Sequence, residues 1–232
     1  MGDADVVGNL HGRLIAFDLD GTIVDSRRDL TDAANQLVEE LGGAALSEEA
    51  VGRMIGEGAA VLVDRVLAAA GVTGRTGTLA RFLDIYDLHL LDHTLPYPGV
   101  ADALRAARAH GRVAVLTNKP SAAAGRILEV LGLRGLLDEV VGGDGPYPRK
   151  PAPASLFALM RGAGSTPEST LLVGDSAIDL HTARAAGSRC CIARYGFGRV
   201  TLTSAQLSAD EWSVDEASAL PAVFDAFSRG VG

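Results

Sequence analysis

Five short apolar runs recur along this chain, and small, polar or charged residues follow each one at once. The runs are Leu14-Ile15-Ala16-Phe17, Val113-Ala114-Val115-Leu116, Glu139-Val140-Val141, Leu171-Leu172-Val173 and Cys190-Cys191-Ile192-Ala193. Runs this short and this apolar suit strands of a parallel sheet covered on both faces. Stretches with helical spacing separate them, at 99–110, 121–131, 153–161 and 176–186. Ser121 and Ser176 stand where N-caps belong, and Gly111, Gly132 and Gly187 stand where helices stop. Strands alternating with helices imply right-handed crossovers and a doubly wound sheet. The expected fold is therefore α/β, with a Rossmann-like parallel sheet. The tail from 212 to 227 reads as a further short strand and a closing helix.

One stretch breaks the alternation. Residues 26–95 read as helix after helix, at 29–41, 59–70 and 78–91, with no strand-like run among them. The stretch starts just after the first strand and ends at the stiff sequence Pro96-Tyr97-Pro98-Gly99. The expectation is an α/β core formed by 1–25 and 96–232, with an all-α cap inserted at 26–95. A chain of 232 residues with 47% apolar content has room for one such core and one such insert.

In open α/β sheets ligands sit beyond the carboxyl ends of the strands. The residues found there are Asp18-Leu19-Asp20-Gly21-Thr22, then Thr117-Asn118-Lys119-Pro120, then Gly142-Gly143-Asp144 with Lys150-Pro151, and finally Gly174-Asp175-Ser176-Ala177-Ile178-Asp179. Lysine usage sharpens this picture. Of 21 basic residues only Lys119 and Lys150 are lysine, each directly before a proline, and the rest are arginine. A lysine is a compact point charge, and a guanidinium does not replace it where one ammonium sits between anionic oxygens. Both lysines are accordingly candidate site residues.

This mixture has a chemical logic. Clustered carboxylates repel one another and tolerate a common site only around a cation. Hard oxygen donors in this number favour Mg²⁺, which usually meets a phosphate. One carboxylate can attack phosphorus and form an acyl phosphate, and a second can move protons for the leaving oxygen and for water. Thr117 and Asn118 offer donors to phosphate oxygens.

Other features exclude alternatives. A formal charge of −8 and a pI near 5.1 argue against a nucleic-acid-coating surface. No apolar run approaches the ~18 residues of a membrane span. The opening Met1-Gly2-Asp3-Ala4-Asp5 has neither the basic front nor the apolar stretch of a secretory leader. Cys190 and Cys191 are adjacent and do not form a disulfide framework, which fits a reducing cytoplasm. His89 and His93 share helical spacing but lack a third ligand, so a solvated helix face is expected for them. His181 is expected on an outer helical turn.

The four strand-end motifs together resemble those of the haloacid dehalogenase superfamily of aspartyl-nucleophile phosphotransferases. Thr117-Asn118-Lys119-Pro120, Val141-Gly142-Gly143-Asp144, Arg149-Lys150-Pro151-Ala152-Pro153, Tyr195-Gly196-Phe197-Gly198 and the stretch Ile55-Gly56-Glu57-Gly58 are most similar to bacterial phosphoglycolate phosphatases within it. The resemblance implies Asp18 as nucleophile, Asp20 as general acid and base, and Thr22 as its orienting neighbour. It also implies Mg²⁺ held by Asp18, the Asp20 carbonyl and Asp175 with Asp179 alongside, and Lys150 between the phosphoryl group and the carboxylates. Thr117 and Asn118 would bind phosphate. Lys119 would contact a substrate carboxylate or lie at the surface. Gly56, Glu57, Gly58 and Arg65 would approach the organic part of the substrate, with Glu57 itself turned outward.

The implied activity is hydrolysis of a small phosphomonoester, 2-phosphoglycolate first, by a monomer or homodimer. Pyrophosphate, a nucleotide monophosphate or a sugar phosphate are the other substrates in view. Asp20 argues against dehalogenation. The absence of lysine from 26–95 argues against a Schiff-base phosphonate reaction. A sugar-phosphate mutase keeps all four motifs, whereas a phosphate-binding scaffold has no need of Asp20.

Overall fold

The apolar runs become the strands of one six-stranded sheet. In chain order its strands are β1 (Leu14–Phe17), β4 (Arg112–Leu116), β5 (Glu139–Val141), β6 (Thr170–Gly174), β7 (Arg189–Ala193) and β8 (Trp212–Val214). Their spatial order is β5-β4-β1-β6-β7-β8, and every pairing is parallel. The order reverses at β1, between β4 and β6, and this is where a ligand crevice opens in such sheets. This computed structural model describes residues 12–197 and 207–230; the opening pentapeptide and Gly198 lie outside them.

The strand alternation shows why the runs are apolar throughout. Ile15 and Phe17 enter one buried cluster, while Leu14 and Ala16 enter another on the opposite face. Helices α5 (Val100–Ala107), α6 (Ser121–Val130) and α9 (Leu220–Arg229) cover the first face through Leu104, Ile127 and Phe224. Helices α7 (Ala154–Ala163) and α8 (Ala177–Ala186) cover the second through Leu156, Leu159 and Leu180. A strand with two buried faces has no place for the polar alternation of a half-exposed one.

Between β1 and β4 lie α1 (Arg27–Glu40), α2 (Glu48–Gly52), α3 (Ala59–Ala70) and α4 (Thr78–Leu88). Their apolar faces, including Leu37, Val63, Val66, Phe82 and Ile85, join the cluster that covers the Phe17 face of the sheet. Helix α2 was not anticipated; it is five residues long, and the Ser47 hydroxyl caps it by accepting from Ala50 N. Helix α4 ends at Leu88, three residues before the expected end, so His89 and His93 do not share a helix face. His89 Nδ1 instead meets Asp92 at 2.7 Å, and both side chains are exposed.

A two-stranded ribbon carries the chain into and out of this helical segment. Strands β2 (Val24–Asp25) and β3 (Leu95–Pro96) pair antiparallel. Asp29, in the first turn of α1, is buried and accepts hydrogen bonds from His93 N (2.9 Å), Thr94 N (2.8 Å) and Thr94 Oγ1 (2.6 Å). This carboxylate fastens the outgoing helix to the returning chain 65 residues later.

Candidate active site

Asp18 is set by the sheet itself. It follows β1, and its amide donates to Val173 O of β6 at 2.8 Å. Its side chain turns toward Lys150, whose Nζ lies 2.9 Å from Asp18 Oδ1 and 2.6 Å from Asp179 Oδ1. Asp179 uses its other oxygen to accept from Ser176 N (3.2 Å) and Ser176 Oγ (2.6 Å), forming a capping box at the start of α8. Ser176 thus caps the helix and holds a site carboxylate at the same time. A Cβ at Gly174 would fall 2.2 Å from Asp179 Cγ, so only glycine ends β6 in this way. Burial pushes the Asp18 carboxyl up to about 7; Lys150 opposes that shift, and Asp179 adds to it. Burial also pulls the Lys150 ammonium down, but Asp179 and Asp18 outweigh it and leave its pKa above the usual lysine value.

Asp18, Asp175 and Asp179 each bring one carboxylate oxygen within 4.8 Å of the others, and all three are buried. The chain makes room for Asp175 with two glycines. A Cβ at Gly21 would lie 2.2 Å from Asp175 Oδ2, and one at Gly196 would lie 2.4 Å from Asp175 Cβ. Gly21 also has φ +85°, a left-handed turn that favours glycine. Three buried carboxylates against one ammonium leave excess negative charge in a region that solvates it poorly. That donor set, all hard oxygen, fits a divalent cation such as Mg²⁺.

Asp20 faces a second lysine. Lys119 Nζ lies 2.9 and 3.0 Å from the two Asp20 oxygens, and Ser26 Oγ donates to Asp20 Oδ1 at 2.5 Å. The Lys119 side chain is only 3% exposed, which rules out the surface placement. Burial opposes its charge, yet Asp20 and Tyr86 keep its pKa raised. Thr22 does not reach Asp20: its hydroxyl is buried without a hydrogen-bond partner, so Ser26 and Lys119 are what orient Asp20. Ser26 escaped the sequence reading because it stands outside the motif, six positions after Asp20. A hydroxyl residue opening a helix was its only signal.

Thr117 and Asn118 follow β4 as expected, but the Asn118 side chain is already engaged. Its Oδ1 accepts from Lys150 N at 2.9 Å, and its Nδ2 donates to Lys150 O at 3.0 Å and Gly56 O at 2.9 Å. Asn118 therefore positions the Lys150 backbone and ties the 56–58 loop to the core. Thr117 Oγ1 accepts from Lys119 N at 3.2 Å.

Gly56 and Gly58 line the cavity above the site. Glu57 and Arg65 do not: they form an ion pair with each other, each about 41% exposed. Glu57 is turned away from the cavity, and Arg65 goes with it.

The cavity has a volume of about 320 Å³. Asp18, Asp20, Thr117, Asn118 and Lys119 form its floor, and Leu30, Leu62, Phe82 and Tyr86 from the helical segment wall it. Tyr86 was not among the expected site residues.

A strand-end carboxylate held by an ammonium, with a second carboxylate two residues on and paired with its own lysine, is an arrangement suited to a hydrolase. Comparison with known proteins specifies this further. The family model described as haloacid dehalogenase-like hydrolase matches residues 13–187, and the chain belongs to that family. It is 43% identical over 201 residues to a phosphoglycolate phosphatase of Rhodospirillum rubrum, covering 83% of each chain. It is 42% identical over 193 residues to one from Pseudomonas putida, covering 80% of this chain and 70% of that one. A crystal structure of a predicted phosphoglycolate phosphatase from Haemophilus somnus superposes with a TM-score of 0.84 at 31% identity, covering 93% of this chain and 99% of the other. The protein is thus a phosphomonoester hydrolase of the haloacid dehalogenase type.

Proposed function

We propose that this enzyme hydrolyses 2-phosphoglycolate to glycolate and phosphate through an aspartyl-phosphate on Asp18. The observation that carries the mechanism is Lys150 Nζ, held 2.9 Å from Asp18 and 2.6 Å from Asp179. This bridge points one Asp18 oxygen at the ammonium and neutralises charge where a phosphate dianion must approach. Asp18 forms the bond to phosphorus while the ester P–O bond breaks. Asp20 gives a proton to the departing alkoxide, and later takes one from the water that attacks the acyl phosphate. The Thr117 hydroxyl and the Asn118 main-chain N–H support the phosphoryl oxygens, the Asn118 amide being committed to Lys150 and Gly56.

Asp18, Asp175 and the Asp20 carbonyl would hold a Mg²⁺ ion, with Asp179 alongside. Such an ion supplies charge neutralisation for the phosphoryl group. The helical segment at 26–95 serves as the cap, closing the cavity against water through Leu62, Phe82 and Tyr86. The choice of 2-phosphoglycolate rests on the relatives at 43% and 42% identity and on a cavity sized for a small ester. The buried free thiols of Cys190 and Cys191 suit a reducing compartment, which we take to be the cytoplasm.

The test is phosphate release from 2-phosphoglycolate, pyrophosphate, nucleotide monophosphates and hexose phosphates by the purified protein with Mg²⁺. The expected result is the highest kcat/KM for 2-phosphoglycolate. A tenfold preference for any other substrate would overturn the assignment while leaving the hydrolase class intact.

A further inference from the structure

Tyr86, on α4, is 4% exposed and stacks on Phe82 with ring centroids 6.0 Å apart. Its hydroxyl is sealed from solvent and no acceptor takes its proton, a costly state for a buried donor. Lys119 Nζ sits 4.7 Å from the centroid of the same ring. Both residues line the cavity that contains Asp18 and Asp20, and Lys119 is the only cationic side chain among its lining residues.

An ammonium has three N–H donors. Asp20 accepts from Lys119 at two oxygens, which leaves donor capacity for a further acceptor. The two unmet needs, one donor on each residue, call for a group that only accepts and carries negative charge. Burial raises the Tyr86 phenol to about 12, so at neutral pH it donates and does not repel an anion. A carboxylate has two oxygens and no donor, and can take one hydrogen bond from each residue.

We propose that Lys119 Nζ and Tyr86 Oη form a carboxylate-binding subsite, which makes the enzyme selective for phosphomonoesters carrying a carboxylate close to the ester oxygen. The inference rests on the phosphoglycolate reading and deepens it by naming the residues that tell this substrate from an uncharged ester. Lys119 comes from the turn after β4 and Tyr86 from the helical segment. The subsite is therefore complete only when that segment lies over the core. Asp84 and Asp87, also on α4, are exposed and line the same cavity. Asp87 is paired with Arg126 at 3.1 Å, but the Asp84 carboxylate would meet a second anionic group held further out, which favours a short acid over a long bisphosphate.

The experiment compares kcat/KM for 2-phosphoglycolate with that for its uncharged amide, 2-phosphoglycolamide, in wild type, Tyr86→Phe and Lys119→Met. Tyr86→Phe keeps the ring and its packing, so it reports on the hydroxyl even if Lys119→Met fails to fold. Wild type is expected to prefer the acid at least tenfold. The preference should fall at least fivefold in Tyr86→Phe, chiefly through a raised KM for the acid, and approach unity in folded Lys119→Met. A wild-type preference that persists within twofold in Tyr86→Phe would overturn the subsite and leave the phosphoglycolate reading standing. A wild type that does not prefer the acid would overturn both.

Discussion

Ionising Asp18 is costly in the protein alone, because burial and Asp179 together outweigh the attraction of Lys150. The sign of the consequence follows from linkage. The folded carboxyl, with its pKa near 7, binds its proton more tightly than the unfolded one, whose value is 3.8. Between those values the native state holds more protons, so this group subtracts stability as pH rises through the window and has no such effect below it. Asp18→Asn removes the penalty. In EDTA the variant should melt above wild type at pH 8, with the gap closing toward pH 4, while turnover falls at least a thousandfold. Thermal melts across that range check this; a variant less stable than wild type at pH 8 would mean that the Lys150 attraction wins. Lys150→Arg tests the other partner. Lys150 Nζ is fitted between two carboxylate oxygens at 2.6 and 2.9 Å in a fully buried slot. A planar fork does not occupy such a position, and kcat should drop about a hundredfold or more. Both residues were legible beforehand because each stands at a strand end and carries chemistry that the fold otherwise does not need. The partners of Asn118 and Lys119 were not legible. Asn118 bonds to residues 32 and 62 positions away and Lys119 to one 99 positions away, and no local pattern encodes such separations.

At the level of elements, the sheet was readable because its inner strands β1, β4, β6 and β7 are buried on both faces and so are apolar without alternation. The β2–β3 ribbon escaped because each of its strands is two residues long and carries no periodicity. Its anchoring residue, Asp29, looked like any acidic residue in the first turn of a helix, where negative charge is favoured in any case. Only the fold reveals that its carboxylate is buried and accepts from His93 N, Thr94 N and Thr94 Oγ1. Removing it strands those donors, each unmet buried group costing about 1–3 kcal/mol. Asp29→Ala should therefore destabilise the protein by about 2–4 kcal/mol, since part of the loss relaxes. Urea unfolding measures this, and a loss below about 0.5 kcal/mol would show that the ribbon holds without its clasp.

For the whole molecule, the strand order brings Asp18, Lys150, Asp175 and Asp179 from three separate chain regions to one edge. Three carboxylates there face one ammonium, a charge set that a cation would balance. A cation that binds only the assembled site must stabilise the fold by mass action, independently of turnover. At a hundred times its Kd the gain is about 2.7 kcal/mol. For a chain of this size that corresponds to a rise in Tm of about 5–10 °C. Adding Mg²⁺ to wild type in the absence of substrate should produce this shift, and EDTA should reverse it together with activity. Asp175→Asn would remove one proposed ligand, for which Gly21 and Gly196 make space, and should abolish most of the shift while leaving the sheet intact. Differential scanning calorimetry separates the outcomes. If Asp175→Asn kept the full Mg²⁺ response, the cation would be bound elsewhere, and the three-carboxylate edge would have to be balanced by protons instead.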